Sequence, residues 1–199
     1  MKSIKFATIL MLASLLGACG STPQSDYYML TADAAPHPVG DGVSLGVGPI
    51  SIPDYLKTRK IVMNRDDHLL KLAEYDRWAE PLDAGVSRVM SVNLALLMNT
   101  NRVQLFPWRR DAIPEYAVRV AVIQFAAQGN EALLVAEWAI NRPQDGTAGP
   151  RGISRLTTVL GGTEPEHVAE AYSNLLLEFS ELIANALKEE LARADSAGP

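Results

Sequence analysis

The sequence predicts an α+β domain, a mainly antiparallel sheet with two helices packed on one face. Three observations carry this. Two stretches repeat apolar residues at helical spacing, several shorter ones alternate apolar and polar residues with period two, and apolar residues make up 48% of the 199-residue chain against 21% charged. That balance supports one buried core and excludes a disordered chain. The formal charge of −5 is no basic footprint, so nucleic acid is not an expected partner.

The first 18 residues stand apart. Lys2 and Lys5 form a short positive region, and Phe6 to Leu16 is nearly all apolar. That length suits the core of a signal peptide and is too short for an ordinary membrane-spanning helix. Leu16-Gly17-Ala18-Cys19 follows, with small residues before the single cysteine of the chain. The segment resembles a bacterial lipoprotein signal with its lipobox. In that class the thiol takes a diacylglycerol, the chain is cut before the cysteine, and the new amine is acylated. Residues 19–25 are then a lipidated tether, and no cofactor beyond the diacylglycerol and N-acyl chain on Cys19 is expected. Without Lys2 and Lys5 the processed chain carries 16 basic and 23 acidic side chains, a charge of −7. Attachment must therefore come from acyl chains, each buried methylene contributing about 0.8 kcal/mol, rather than from attraction to anionic lipid. Gly20 and Ser21 follow the cysteine, where lipoproteins held at the inner membrane often carry Asp, so the resemblance implies delivery to the outer membrane.

The domain proper is expected over residues 26–191. Tyr27 to Leu30 reads as a short strand, and Ala32 to Gly42, rich in Ala, Pro and Gly, as a loop. Val43, Leu45 and Val47 alternate with Ser44, Gly46 and Gly48, a strand that Pro49 and Pro53 end or confine to a sheet edge. Ile61 to Met63 and Leu69 to Ala73 flank turn-forming residues and predict a hairpin. The first helix is expected over Leu82 to Thr100, with Asp83 as N-cap. Arg102 to Phe106 predicts a strand. Tyr116 to about Ala127, Leu133 to Ile140 and Ile153 to Leu160 predict a three-strand meander, its last two strands joined by a polar loop from Arg142 to Pro150. In the second helix, Thr163 and Glu166 match a capping box and Pro165 suits the first turn. Val168, Tyr172, Leu175, Leu176, Phe179, Leu182, Ile183 and Leu187 form one apolar stripe. Residues 192–199 lack apolar pattern and are expected to be a flexible tail.

Catalytic signatures are not found. His37, His68 and His167 have no paired-ligand spacing, and Asp66-Asp67 reads as a turn pair rather than a calcium site. There is no GxSxG elbow or Walker A loop, and Gly46-Val47-Gly48 precedes no helix. A lipidated Cys19 is a thioether and no nucleophile. The chain is therefore read as no enzyme. Asp76 to Leu82 mixes Trp78 with charges of both signs. It suits a partner contact, since Trp and Arg are enriched in interface hot spots. It equally suits packing, with Trp78 under the helix and Arg77 paired to an acid. Phe106 to Arg110 reads as a loop with a solvated charge pair.

The lipobox, Tyr27-Tyr28-Met29-Leu30, the run from Val47 through Pro49, Pro53, Asp54 and Tyr55 to Leu56, and the run from Leu72 through Asp76, Arg77, Trp78 and Glu80 to Leu82 together resemble the paraquat-inducible lipoprotein family (PqiC/YmbA type), the auxiliary lipoprotein component of ABC-type transport systems. The resemblance spans about Asp26 to Leu191. It implies a lipoprotein on the periplasmic face of the outer membrane, working with an MCE-domain protein that projects from an inner-membrane complex in lipid trafficking, and assembling as a homo-oligomeric ring. The family has no catalytic residues to carry over, so only Cys19 receives a defined role. Asp54, Tyr55, Arg77 and Trp78, in the two most distinctive segments, are the candidate interface residues. A periplasmic lipid carrier with an acyl chain in its own cavity is the alternative, and an envelope hydrolase a third reading without a polar cluster to support it.

Overall fold

A computed structural model describes residues 24–32, 38, 40–66, 68–109 and 111–197. Cys19 and His37 lie outside the described residues, as does the lipobox. The strands are β1 (Asp26–Tyr28), β2 (Leu45–Ser51), β3 (Lys60–Asn64), β4 (Leu70–Trp78), β5 (Val103–Leu105), β6 (Tyr116–Gln128), β7 (Glu131–Asn141) and β8 (Ala148–Val159). The helices are α1 (Leu82–Leu97) and α2 (Pro165–Ala197), with a 3-10 turn at Asp54–Leu56.

All eight strands join one sheet, and β6 is its axis. One edge of β6 carries β7 along its length, and β8 follows, both antiparallel as the meander expectation has it. The other edge carries two strands in succession. β2 pairs with Tyr116 to Ala121, and β3 joins at Asn64 opposite Gln128. Beyond β2 lies β5, and beyond β3 lie β4 and then β1. The pairs β1–β4, β2–β5, β2–β6 and β3–β6 are parallel. The sheet is thus mixed, although its longest ladders are antiparallel. Both helices pack on one face, α1 over β2 and β5, α2 over β7 and β8, and against each other.

Local chemistry explains the elements. Alternation in β7 buries Ala132, Leu134, Ala136, Trp138 and Ile140 toward the helices. Gly129, at φ 61°, opens the two-residue turn between β6 and β7, a conformation that costs glycine little. Every residue of the α2 stripe enters the core, Leu182 partly and the others fully. Phe125 of β6 lies 3.7 Å from the Tyr172 ring at 14°, and Trp78 stacks on the same ring at 6.1 Å and 21°. These three aromatics fasten β6, β4 and α2 together.

Several boundaries differ from expectation. β2 is no edge strand at Leu45–Val47, which β5 covers; it continues past Pro49 to Ser51, its register slipping between Val47 and Ile50, because proline has no N–H to give the ladder. Helix α1 has Pro81 at its N-cap position with no side-chain cap, and Asp83 falls in the first turn, where a carboxylate still opposes the helix dipole. The helix stops at Leu97, and Asn99 at φ 47° ends it. Helix α2 starts at Pro165, so Glu164 and not Thr163 precedes it. It also runs on past Leu191 to Ala197, since Ala192, Arg193 and Ala194 are strong helix formers and Arg193 bonds both Glu189 and Glu190. β8 starts at Ala148 and shortens the expected polar loop, which the carbonyl of Thr147 closes by accepting the Arg142 N–H at 2.9 Å.

Candidate functional site

The segment Asp76–Leu82 ends β4 and delivers the chain into α1. Trp78 cannot serve as an interface anchor. It is 3% exposed, because β4 turns it toward α2, where it meets Tyr172. Its backbone N–H donates to the Arg59 carbonyl at 2.6 Å. Arg59 returns the bond, its guanidinium donating to the carbonyls of Trp78 at 3.4 Å and Ala79 at 2.6 Å. Glu80 accepts from both Nε and Nη2 of Arg88, and the same Nη2 donates to the Leu30 carbonyl at 2.8 Å. Thus the ion pair of this segment joins Glu80 to α1, while Arg77 stands across the sheet from Tyr27 and Lys60. Gly85 makes room for this clamp: a Cβ there would meet Glu80 Oε1 at 3.3 Å and Leu30 Cδ1 at 3.4 Å.

Asp54 and Tyr55 sit on the exposed 3-10 turn after β2. Lys57 binds Asp54 at 2.7 Å, and this ammonium hydrogen bond and charge hold the Asp54 carboxyl below its ordinary range. The Tyr55 hydroxyl is raised by partial burial, against a bond from the backbone of Phe125. The turn and the Trp78–Leu82 segment, distant in sequence, face one another. A surface recess of about 270 Å³ lies between them, lined by Lys57, Thr58, Arg59, Pro81, Leu82 and Asp83. Its lining carries both charge signs, Lys57 and Arg59 beside Asp83, around the apolar Pro81 and Leu82. Of the four interface candidates the structure leaves Asp54 and Tyr55 on the rim turn and Arg77 at the β1–β4 junction, and it withdraws Trp78. Sequence reasoning missed Lys57, Arg59 and Asp83. Their only signal was nearness to the two distinctive segments, because what unites them is a tertiary contact.

Residues 28–184 match the family model for the ABC-type transport auxiliary lipoprotein component. The chain belongs to this family. Among solved structures, an uncharacterized protein superposes with a TM-score of 0.69 at 20% identity, over 83% of this chain and 99% of that one. A Xanthomonas campestris protein of family DUF330 gives 0.69 at 15% identity, over 87% and 99%. These likenesses show a shared fold. The sequence has no significant match among curated proteins.

The span of the ABC-type transport auxiliary match takes in both walls of the recess and most of α2. The histidines stand elsewhere. His68 is exposed near the β3–β4 turn, its N–H bonded to Asp66. His167 lies over Gly161 and Gly162, 3.8 Å from Glu166 and 3.9 Å from Glu170. Among the described residues no group of three or more His, Cys, Asp or Glu side chains is placed to hold a metal ion, and no helix is long and apolar enough to cross a membrane. Arg109 pairs with Asp111 at 2.6 Å in an exposed loop.

Proposed function

We propose that this auxiliary lipoprotein is anchored through lipidated Cys19 to the periplasmic face of the outer membrane and docks an MCE-domain protein of an ABC-type intermembrane lipid transport system, without catalysis of its own. The observation that carries the reading is the family match over residues 28–184. The packing supports it. Tyr172, Phe125, Phe179 and Leu175 fill the space between helices and sheet, and the recess between Lys57 and Asp83 holds about 270 Å³ at the surface, small beside typical ligand sites of about 300–1,000 Å³. A tightly packed scaffold with a shallow surface recess fits the gripping of a protein better than the enclosure of an acyl chain. The tether adds to this, since confinement at one membrane raises the effective concentration of the domain for a partner arriving there. Assembly into a closed homo-oligomeric ring belongs to the same proposal, because closure satisfies exposed strand edges without open-ended growth.

Affinity capture of the lipidated protein from crosslinked envelopes tests the reading. Recovery of an MCE-domain protein, reduced by Asp54→Lys, is the expected result. Capture of peptidoglycan enzymes in its place overturns docking, and stoichiometric lipid bound within the domain turns the assignment to a carrier. Cys19→Ala is expected to move the protein from the membrane to the soluble periplasmic fraction. A wild-type protein already soluble, with an unmodified N-terminus by mass spectrometry, defeats the anchor.

A further inference from the structure

The β1–β4 edge carries an apolar surface for which the core has no use. Of the large hydrophobic side chains exposed among the described residues, Tyr27, Met29, Leu69, Leu70, Leu72 and Tyr75 fall in two short stretches on these neighbouring strands, Tyr27 at 66% and Met29 at 53% exposure. Register places the two tyrosines on one face, while Leu69 to Leu72 follow along the same edge beyond a register shift in the β3–β4 ladder. Tyr28 stands beside Trp78, whose ring turns to α2. Tyr27 and Arg77, the adjacent pair, therefore point to the other face, and Tyr75 lies two residues along β4 on the same side as Arg77. β1 covers only Asp76 to Trp78, which leaves Leu70 to Tyr75 as the outer edge of the sheet at that end.

The chain itself indicates what covers this edge. Six residues, Gly20 to Ser25, separate Cys19 from β1, so the anchor cysteine lies at most about 25 Å from Asp26. A domain of this size is about 40 Å across, so the tether is shorter than the domain is wide. It holds the β1 edge, rather than the β5 or β8 edge, next to whatever the acyl chains enter. Charge agrees. Residues 26–28 and 59–78 contain five basic and five acidic side chains, in a processed chain of net charge −7. This end is consequently neutral and carries none of the net negative charge that an anionic lipid surface would repel. Tyrosines with apolar neighbours are the side chains that settle at a membrane–water interface.

We propose that the β1–β4 edge, with Tyr27, Met29, Leu72 and Tyr75 at its centre, seats on the lipid headgroup layer beside the protein's own anchor and fixes the orientation of the domain on the membrane. The seat rests on the Cys19 anchor of the proposed function, and it leaves the recess beside Lys57 and Asp83 free for a partner.

The test uses the full lipidated chain in phosphatidylethanolamine–phosphatidylglycerol vesicles doped with dibrominated phosphatidylcholine. Tyr27→Trp places a reporter on the edge at an exposed position, and Ile153→Trp places a control on β8. The added emission of Tyr27→Trp over wild type is expected to fall at least about twofold in brominated vesicles, as for an interfacial indole, with that of Ile153→Trp unchanged. Protein that floats with the vesicles while Tyr27→Trp behaves like Ile153→Trp overturns the seat and leaves the anchor standing. Protection of Tyr27→Trp from iodide without quenching by brominated lipid assigns the edge to a second copy and overturns the seat. Protein that fails to float overturns anchor and seat together.

Discussion

Tyr172 presents an unusual balance at the scale of one side chain. Its ring stacks with both Phe125 and Trp78, yet its hydroxyl is buried with no hydrogen-bond partner among the described residues, and burial raises its ionisation far above the ordinary tyrosine value. The ring and the hydroxyl should therefore act oppositely on stability. Tyr172→Phe keeps the stack and removes a desolvated polar atom, so stability in urea denaturation is expected to hold or rise by up to about 1 kcal/mol. Tyr172→Ala empties the joint between helix and sheet and is expected to cost about 3–5 kcal/mol. Carboxylates report a second residue-scale effect. Asp54 is held low by Lys57, Asp111 by Arg109, and Asp145 by the Thr147 N–H that it accepts at 2.8 Å. A folded value below the unfolded one means that each contribution is in place above the ordinary carboxylate range and is lost as pH falls through the depressed value. NMR titration of the three carboxyls should find all of them below that range. Lys57→Gln should return Asp54 to it and leave Asp145 unmoved. Added salt should weaken the two ion-pair shifts more than the Asp145 shift.

At the scale of an element, helix ends decide more than helix interiors. Asn99, just past α1 in the left-handed region, closes it in a Schellman arrangement: its N–H donates to Leu96 at 3.1 Å and that of Thr100 to Ala95 at 3.0 Å. The Asn99 side chain also accepts the Gly40 N–H at 3.2 Å. Asn99→Gly keeps the backbone conformation and should change stability by less than about 1 kcal/mol. Asn99→Val forces a branched side chain into the left-handed region and should cost about 1–2 kcal/mol or more by thermal denaturation. Such ends are also where sequence and structure part. The α2 stripe and the β6–β7–β8 meander were legible because their periodicities are local. The parallel pairing of β2 with β5 and β6 was not, since nothing within seven residues of β2 records which distant strand lies beside it. Pro49 argued for an edge, and it sits where β5 no longer covers β2, while Leu45 to Val47 before it lie between β5 and β6. Trp78 was ambiguous for a similar reason, because a Trp beside charges suits a core corner and a binding surface equally. Only the turn of β4 toward α2 distinguishes them. The recess between Lys57 and Asp83 left no local mark at all.

At the scale of the molecule, the branching of the sheet on β6 sets an order of stability. β6 is flanked by β7 along its length and by β2 and β3 in succession, and Phe125 locks it beneath Tyr172. Opening any of its amides requires dismantling the layer that both helices share. β1 and β5 hold three residues each and have one neighbour apiece, and α2 beyond Leu191 carries only exposed side chains among those described. Local opening there exposes little apolar surface and should need far less than the global unfolding free energy. Hydrogen exchange followed by mass spectrometry is therefore expected to rank the central residues of β6 and β7 with Val168–Leu187 of α2 as the slowest, exchanging together by global unfolding, and β5 and Ala192–Ala197 as the fastest. Asn93, buried in α1, should exchange with the slow group, because α1 packs on both β2 and α2. Exchange of β6 ahead of α2 would mean that the sheet branch, and not the aromatic joint, is the weak point of the fold. Tyr172→Ala separates the two cases, since it should bring β6 and α2 down to one common, faster rate if the joint couples them and should accelerate α2 alone if it does not.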